Sequence, residues 1–546
     1  MFRRNDDHLQ GVLFSDHQSL KPSVKKMLQR SWAPLFYQSV FCHIDEELFA
    51  PLYAEMGRPN FPVNQLLALE IIKNIFDYTD SELLDQFHFN YQVMYALGIR
   101  NFGEVSLAER TLYEFRERIC NYLAEHPEED DVLFAQFDVL TQNFIKAAGI
   151  ATHEQRMDST LISPNIKKAG RLSLAHDVLH NAVKAVPEEL LNEALLQVLV
   201  PSFRTQLLYH NRKQELNSRF QSVLDLMGEL LKRVSNQPEI NRQEPLLTLK
   251  RFLREQAVYD IAEGRYIARD KKDISASSLQ SAYDSDATFR DKGGKKHSGY
   301  VLNLSETCGQ DNPFQLITDY QLKPNNTSDA EMIKSCMDGI KNRTGVEDLY
   351  VDGAYYGSEI IEQAEKNKIN LHYTDMTGRK ADNSRLPLTQ FEIDEQMTIK
   401  SCPAGKQPLR SDYSAKGKTI SAHFLPEDCS QCPLLEQCPV KRQKKDYVLR
   451  TSAKSFQASQ VRDELNNISV KCHNISKRAA IEGTNSALKR SQGAGELRTR
   501  GITSCGMVTA LKVIGHNFTQ FWKGMTKQLR RKPKRLRTGD LCLIPG

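Results

Sequence analysis

Three short acidic segments, far apart in the chain, carry residue types suited to metal chemistry. They are Arg156-Met157-Asp158-Ser159-Thr160, Leu349-Tyr350-Val351-Asp352-Gly353-Ala354-Tyr355-Tyr356 and Arg478-Ala479-Ala480-Ile481-Glu482-Gly483. The first two read as strands that end in an aspartate and a turn. The third reads as a helix with one glutamate flanked by cations. Two strand-borne Asp and one helix-borne Glu are hard oxygen donors that can share two divalent cations, and such a pair of ions can cut and rejoin phosphodiester bonds.

Each segment also has a simpler explanation. An aspartate at the end of a buried strand is commonly a turn former or a helix cap. Arg478 and Glu482 stand at i,i+4, which suits an ordinary helical ion pair. Helical projection adds detail: Arg478, Asn485, Ser486 and Lys489 fall within about 60° of Glu482, while Ala480, Ile481, Thr484, Ala487 and Leu488 fall on the other side. One carboxylate then sits among cations and amides while the opposite face packs.

The elements that must position these groups follow from periodicity. Residues 1–150 read as helices. Thr79-Asp80-Ser81-Glu82 is a capping box ahead of Leu83-Leu84, and Ser106-Leu107-Ala108-Glu109 is another ahead of Leu112 and Phe115. Arg110, Arg116 and Arg118 lie on that second helix, on a DNA-contacting face or on a plain solvated one. A strand follows through Asp158 to Ile162. Helical periodicity returns from 176 to about 265.

From about 282 the pattern becomes α/β. Strands are expected at Ala287–Arg290, Tyr300–Leu304, Phe314–Asp319, Leu349–Asp352 and Ile369–Tyr373. Gly293-Gly294-Lys295-Lys296 reads as a hairpin loop, and helices follow Asn326-Thr327-Ser328-Asp329 and run from Ile360 to Lys366. Residues 376–465 are turn-rich with short alternating stretches, such as Phe391-Glu392-Ile393 and Thr419-Ile420-Ser421, and read as an insertion. Helices resume near 476 and run to about 522, with Gly501 and Gly506 near a break.

Within the insertion, Cys402, Cys429, Cys432 and Cys438 are spaced C-x26-C-x2-C-x5-C. Four thiolates suit tetrahedral Zn²⁺, which would staple a segment too small to bury much core. Unpaired thiols are the alternative, and His423 is a possible substitute ligand. Lys441-Arg442 and Lys444-Lys445 put positive charge just beyond the cluster. From Lys523 to Arg537 the chain has eight Lys or Arg and no acid. That tail is either a phosphate-binding arm or a solubilising end.

Bulk composition narrows the field. The chain has 546 residues, too many for a single core. It is 40% hydrophobic and 26% charged, with a net charge of +5. That balance is mildly basic, so any nucleic-acid signal must come from local clusters. No apolar run is long enough to span a membrane, and the first residues do not look like a signal peptide. A cytoplasmic location is expected.

Taken together, these segments resemble bacterial insertion-sequence transposases with a DDE triad. Gly57-Arg58-Pro59, Gln65-Leu66-Leu67 and Tyr78-Thr79-Asp80-Ser81-Glu82-Leu83 are similar to the helical N-terminal domain of that family. Asp158-Ser159-Thr160 resembles its first-aspartate segment, and Asp352-Gly353-Ala354-Tyr355 its second. Asp284-Ser285-Asp286-Ala287 through His297-Ser298-Gly299-Tyr300 resembles the hairpin region between them. Arg478-x3-Glu482-x6-Lys489 matches the signature around the last acid, with Ile475 where a tyrosine often stands.

The resemblance implies an α/β fold with an RNase H-like catalytic core. A helical N-terminal DNA-binding domain would cover 1–150. The core would run from 151 to 375, with a helical insertion at about 176–270, and resume at 466–525 with Glu482. A turn-rich β insertion carrying the cysteines would occupy 376–465, and a basic tail 526–546. Asp158 would lie on the first strand, Asp352 on the fourth and Glu482 on a late helix. All three would be catalytic and would hold two Mg²⁺ or Mn²⁺ ions. Arg478, Lys489, Arg490, Tyr355, Arg110 and Arg116 would contact DNA. The partners implied are terminal inverted repeats and target DNA, bound by a homodimer in the paired state. The alternatives are a related nuclease without strand transfer and a domesticated DNA-binding protein.

Overall fold

The computed structural model describes residues 1–10, 14–127, 131–167, 169–209, 215–376 and 384–531. Its strands are β1 (Glu154–Ile162), β2 (Ala257–Asp260), β3 (Arg265–Ala268), β4 (Thr288–Lys292), β5 (Lys295–Thr307), β6 (Ile317–Pro324), β7 (Asp348–Val351) and β8 (Asn370–Tyr373). β1 lies between β5, which runs antiparallel to it, and β7, which runs parallel. β8 pairs parallel with β7, β6 antiparallel with β5, and β4 forms a hairpin with the start of β5. Alternation along the strands buries both faces. Met157, Leu349 and Val351 pack with side chains of the Asp329–Thr344 and Ser358–Lys366 helices. Ile162, Leu302, Leu304 and Ile317 join the core of the N-terminal helices.

That shared core is closed by a long helix, Ile502–Arg531. Its Phe518 meets Phe36 edge-on at 5.0 Å, and its Phe521 stacks on Phe144 at 4.9 Å. The helix runs past the expected stop near 522. Phe521 is fully buried, and Gly524 lets the backbone lie against Phe314, where an added Cβ would come within 1.9 Å of the ring. Burial therefore carries the helix into the basic segment. The basic residues from Lys532 to Arg537 lie outside the described residues.

The N-terminal helices include Val63–Phe76, Asp80–Phe89, Glu109–Glu125 and Val132–Ala148. The Thr79–Glu82 capping box forms in both directions. The second expected box does not. Buried Leu107 keeps the chain extended, so the helix starts at Glu109 with Ala108 as its cap and Ser106 plays no part. The helical insertion, Arg171–Lys184 through Glu244–Gln256, has its own core around Leu179, Leu224 and Phe252. It ends in the β2–β3 hairpin where helical periodicity was expected to continue. The Asp260 carboxylate accepts from the Ala262 and Glu263 N–H groups, and Gly264 supplies a φ of +63°.

Residues 392–452 contain β9 (Glu392–Ile393), β10 (Ile399–Ser401), β11 (Arg410–Ser414), β12 (Thr419–Phe424), β13 (Lys441–Arg442) and β14 (Tyr447–Ser452). β11, β12, β14 and β13 form one antiparallel sheet over Ile420, Phe424 and Leu449. Helices resume at Ala453, not near 476, because Ser452 caps the Ala453–Asn466 helix. Two further helices follow, Ile468–Ala479 and Ile481–Ser491. Among the described residues no helix is long and apolar enough to cross a membrane.

The long C-terminal helix carries a pH-sensitive group. His516 is buried, and burial lowers its pKa from 6.5 to about 4, with Lys523 adding to the shift. It is therefore neutral in the fold, whereas the unfolded chain takes up a proton near its ordinary value. Stability is full above about 6.5 and is lost as pH falls towards 4, by up to about 3 kcal/mol. Thermal melts at about pH 7.5 and about pH 4.5 are expected to show a smaller acid loss in His516→Gln than in the parent. Equal losses would remove His516 from the account.

Candidate active site

Register brings the two aspartates together. Arg156 on β1 pairs with Tyr350 on parallel β7, and Asp158 and Asp352 each lie two residues further along. Asp158 is within β1. Asp352 is the first residue beyond β7, where its Oδ1 accepts the Ala354 N–H at 2.9 Å and caps a short turn. Glu482 is the second residue of the Ile481–Ser491 helix.

Arg478 links the first and last acids. Its Nη1 donates to Asp158 Oδ1 at 3.0 Å and its Nη2 to Glu482 Oε1 at 3.3 Å. Asn485 Nδ2 donates to Asp158 Oδ2 at 3.1 Å. The single helical projection is corrected in one respect. The helix breaks at Ala480, so Arg478 closes one helix and Glu482 opens the next. On the expected packing side Ile481 and Leu488 are essentially fully buried and Thr484 is at 8% exposure, but Ala480 is exposed and Ala487 only partly buried, while Asn485 of the expected polar face is buried.

A buried polar network fixes the second helix against the sheet. The Thr484 hydroxyl donates to Glu306 on β5 at 3.0 Å. Glu306 pairs with Arg156 on β1 at 3.3 Å, and Arg156 Nη1 reaches the Lys477 carbonyl at 3.2 Å. Four elements thus meet at one satisfied ion pair. Sequence reading gave Glu306 no role, because its partners are distant in the chain and its strand otherwise reads as apolar.

The carboxylates crowd one another. Burial pushes Asp158 up to about 6; Arg478 opposes the shift, and the charge of Asp352 adds to it. Burial likewise raises Asp352. The Ala354 N–H and Arg478 oppose that rise, while Asp329 and Asp375 reinforce it. Asp375 also accepts the Gly353 N–H at 2.7 Å, and Asp329 accepts from Ser159 at 2.7 Å. The sequence offered Asp329 only as part of a helix start and gave no signal for Asp375. Buried Asn485 Oδ1 has no hydrogen-bond partner beside Asp158. An all-oxygen donor set with surplus negative charge and an orphaned acceptor suits Mg²⁺ or Mn²⁺. Among the described residues, however, no three His, Cys, Asp or Glu side chains form a ready-made metal cage. At the acids, Arg478 stands between Asp158 and Glu482, and the Glu482 side chain is 66% exposed.

The other expected DNA contacts divide. Lys489 is half-buried within the influence of Asp158, and Arg490 is exposed. Arg110 is exposed beside Glu114. Arg116, expected to contact DNA, turns inward and pairs with Glu70 at 2.7 Å and Asp80 at 2.6 Å. Tyr355, also expected to contact DNA, is fully buried, and its hydroxyl donates to Asn303 Oδ1 at 2.6 Å.

Cys402, Cys429, Cys432 and Cys438 line one cavity of about 20 Å³, the size of a single ion or water, and none forms a disulfide. Burial pushes the Cys429 thiol up to about 11, and the other three thiols add to the shift. His423 does not line this cavity; its Nδ1 pairs with Asp446 at 2.6 Å.

Residues 26–118 match a family model described as a transposase domain (DUF772). Residues 401–522 match one described as a transposase DDE domain. The second match contains the four cysteines, Arg478, Glu482 and Lys489, while Asp158 and Asp352 lie outside both. No curated protein matches the chain significantly. The two family matches support an insertion-sequence DDE transposase.

Proposed function

We propose that this transposase cuts the ends of its element and joins them to target DNA at Asp158, Asp352 and Glu482. The observation that carries this reading is the gathering of three carboxylates about Arg478, which bonds Asp158 and Glu482 and lies within charge–charge reach of Asp352, with Asp158 and Asp352 each two residues past a register pair of parallel β1 and β7. The strand order β6-β5-β1-β7-β8, with antiparallel β5 and parallel β7 flanking β1, is the one an RNase H-like core requires. The substrate would be the terminal inverted repeats and target DNA, with two ends paired by a homodimer.

Asp158, Asp352 and Glu482 would hold Mg²⁺ or Mn²⁺, and the chemistry supplied there would be activation of water or a 3′-hydroxyl and stabilisation of the leaving oxygen of a phosphodiester. The chain's own side chains do the rest. Arg478 offsets the carboxylate charge until the cleft is occupied, and its planar fork is then suited to a DNA phosphate. Asn485 orients Asp158 and presents its free oxygen to a donor. Lys489 places a cation beside the same carboxylate, where a phosphate would approach. Residues 1–150 and the basic tail would supply further backbone contacts, with Arg110 and Arg490 exposed for that task.

The cysteine cavity is read as a structural Zn²⁺ site. Cys402, Cys429, Cys432 and Cys438 would turn inward on a single ion and lose their protons on binding.

Strand-transfer assays with element-end DNA and a target plasmid test the main reading. The parent is expected to cut and join. Asp352→Asn is expected to lose both steps by at least about a hundredfold, since even losing a ligand's supporting residue costs that order. Cutting without joining would favour a simple nuclease, and unchanged cutting by Asp352→Asn would remove the triad. For the cysteines, elemental analysis of purified protein is expected to find one Zn²⁺ per chain, lost in Cys429→Ser with a lowered melting temperature. Zinc-free protein that melts at the same temperature with or without a chelator would exclude the site.

A further inference from the structure

The β4–β5 hairpin extends the main sheet beside the acidic cleft. β5 pairs with β1 only from Tyr300 onward, and the residue before that pairing is Gly299. Gly299 has φ +142°, and a Cβ there would sit 2.6 Å from the Ile162 carbonyl oxygen and 2.5 Å from Pro164 Cδ. Only glycine allows the strand to bend so close to the end of β1. Side-chain contacts set β4 beside the cleft. Arg290 lies 3.7 Å from Asp329, which accepts from Ser159, the residue after Asp158.

Lys292 is two residues beyond Arg290 and so shares its side of the strand. It lies within charge–charge reach of both Asp158 and Lys489. Gly293 and Gly294, at φ +60° and +78°, make the tight turn that sets Lys295 directly across from Lys292 on the same face, while Lys296 lies across from Asp291 on the other. All three lysines are exposed, and none is ion-paired among the described residues, although carboxylates crowd the neighbouring cleft. Unpaired lysines flanking a cleft that takes phosphodiesters suit an evenly charged backbone.

We propose that the β4–β5 tip is a phosphate-gripping arm. Lys292 holds a DNA phosphate next to the bond that is cut, and Lys295, across from it on the same face, holds the flanking phosphate. The proposal rests on the reading of Asp158, Asp352 and Glu482 as the cutting site. It assigns the hairpin to DNA already in the cleft, and Lys292 acts there as a positioning residue.

The test uses full-length protein and a duplex carrying the terminal repeat of its own element. Affinity is followed against salt without divalent metal, and single-turnover cleavage is followed with Mg²⁺ at sub-saturating DNA. Lys292→Ala is expected to reduce the slope of log affinity against log salt by about one and to slow cleavage about tenfold, with Lys292→Arg restoring both. The double variant Lys292→Ala/Lys295→Ala is expected to reduce the slope by about two. A parent-like slope in Lys292→Ala overturns the proposal, whether or not cleavage falls, because a lost phosphate contact must release fewer counterions. Asp352→Asn separates the two readings. If the parent and Asp352→Asn cut equally, the cutting site is wrong. If only the parent cuts and Lys292→Ala matches it in slope and rate, the arm alone is wrong.

Discussion

Carboxylates held close together and away from water repel one another, and the fold around Asp158 is organised by that cost. Asp158, Asp352, Asp329 and Asp375 act on one another's charge within a small volume, and one guanidinium answers most directly. Arg478 divides its fork between Asp158 and Glu482. A core built only for stability would have no reason to gather these acids, since unpaired buried charge costs more than apolar packing returns. The arrangement is understandable as a site kept ready for cations.

Such a site needs rigid support, because small displacements of a charged group change its interactions steeply. Two devices provide it. The Arg156–Glu306–Thr484 network locks the Glu482 helix to β1 and β5 through buried, satisfied bonds. The Ile502–Arg531 helix then ties the sheet to the N-terminal helices through Phe518 and Phe521, so that the matched N-terminal and C-terminal segments share one core. The mobile chemistry is left to exposed groups at the rim, such as the Glu482 side chain and the lysines of the β4–β5 hairpin.

Much of this was legible in local pattern. The strands holding Asp158 and Asp352, the packing face of Ile481 and Leu488, and the Thr79 capping box all follow from residue order within a few positions. What was not legible depends on distant partners. Arg116 reads as a basic surface residue until Glu70 and Asp80 arrive from other helices. Tyr355 reads as a contact beside a catalytic acid until the sheet buries it on Asn303. The break at Ala480 is invisible to a helical projection, because alanine favours helix on both sides and only the tertiary pull on Arg478 and Thr484 divides it. The long helix overran its expected end for a similar reason: packing of Phe314 on Gly524 outweighed the polarity of the residues around it.

The central claim is that Asp158, Asp352 and Glu482 form one divalent-cation site. A crystal structure of the full chain with Mn²⁺, phased for anomalous signal, addresses it most directly. The account predicts Mn²⁺ bound by Asp158 and Asp352, Glu482 drawn in from solvent, and Arg478 displaced from between the carboxylates. Mn²⁺ absent from this cleft while bound elsewhere on the chain, with Arg478 still bridging Asp158 and Glu482, would contradict it.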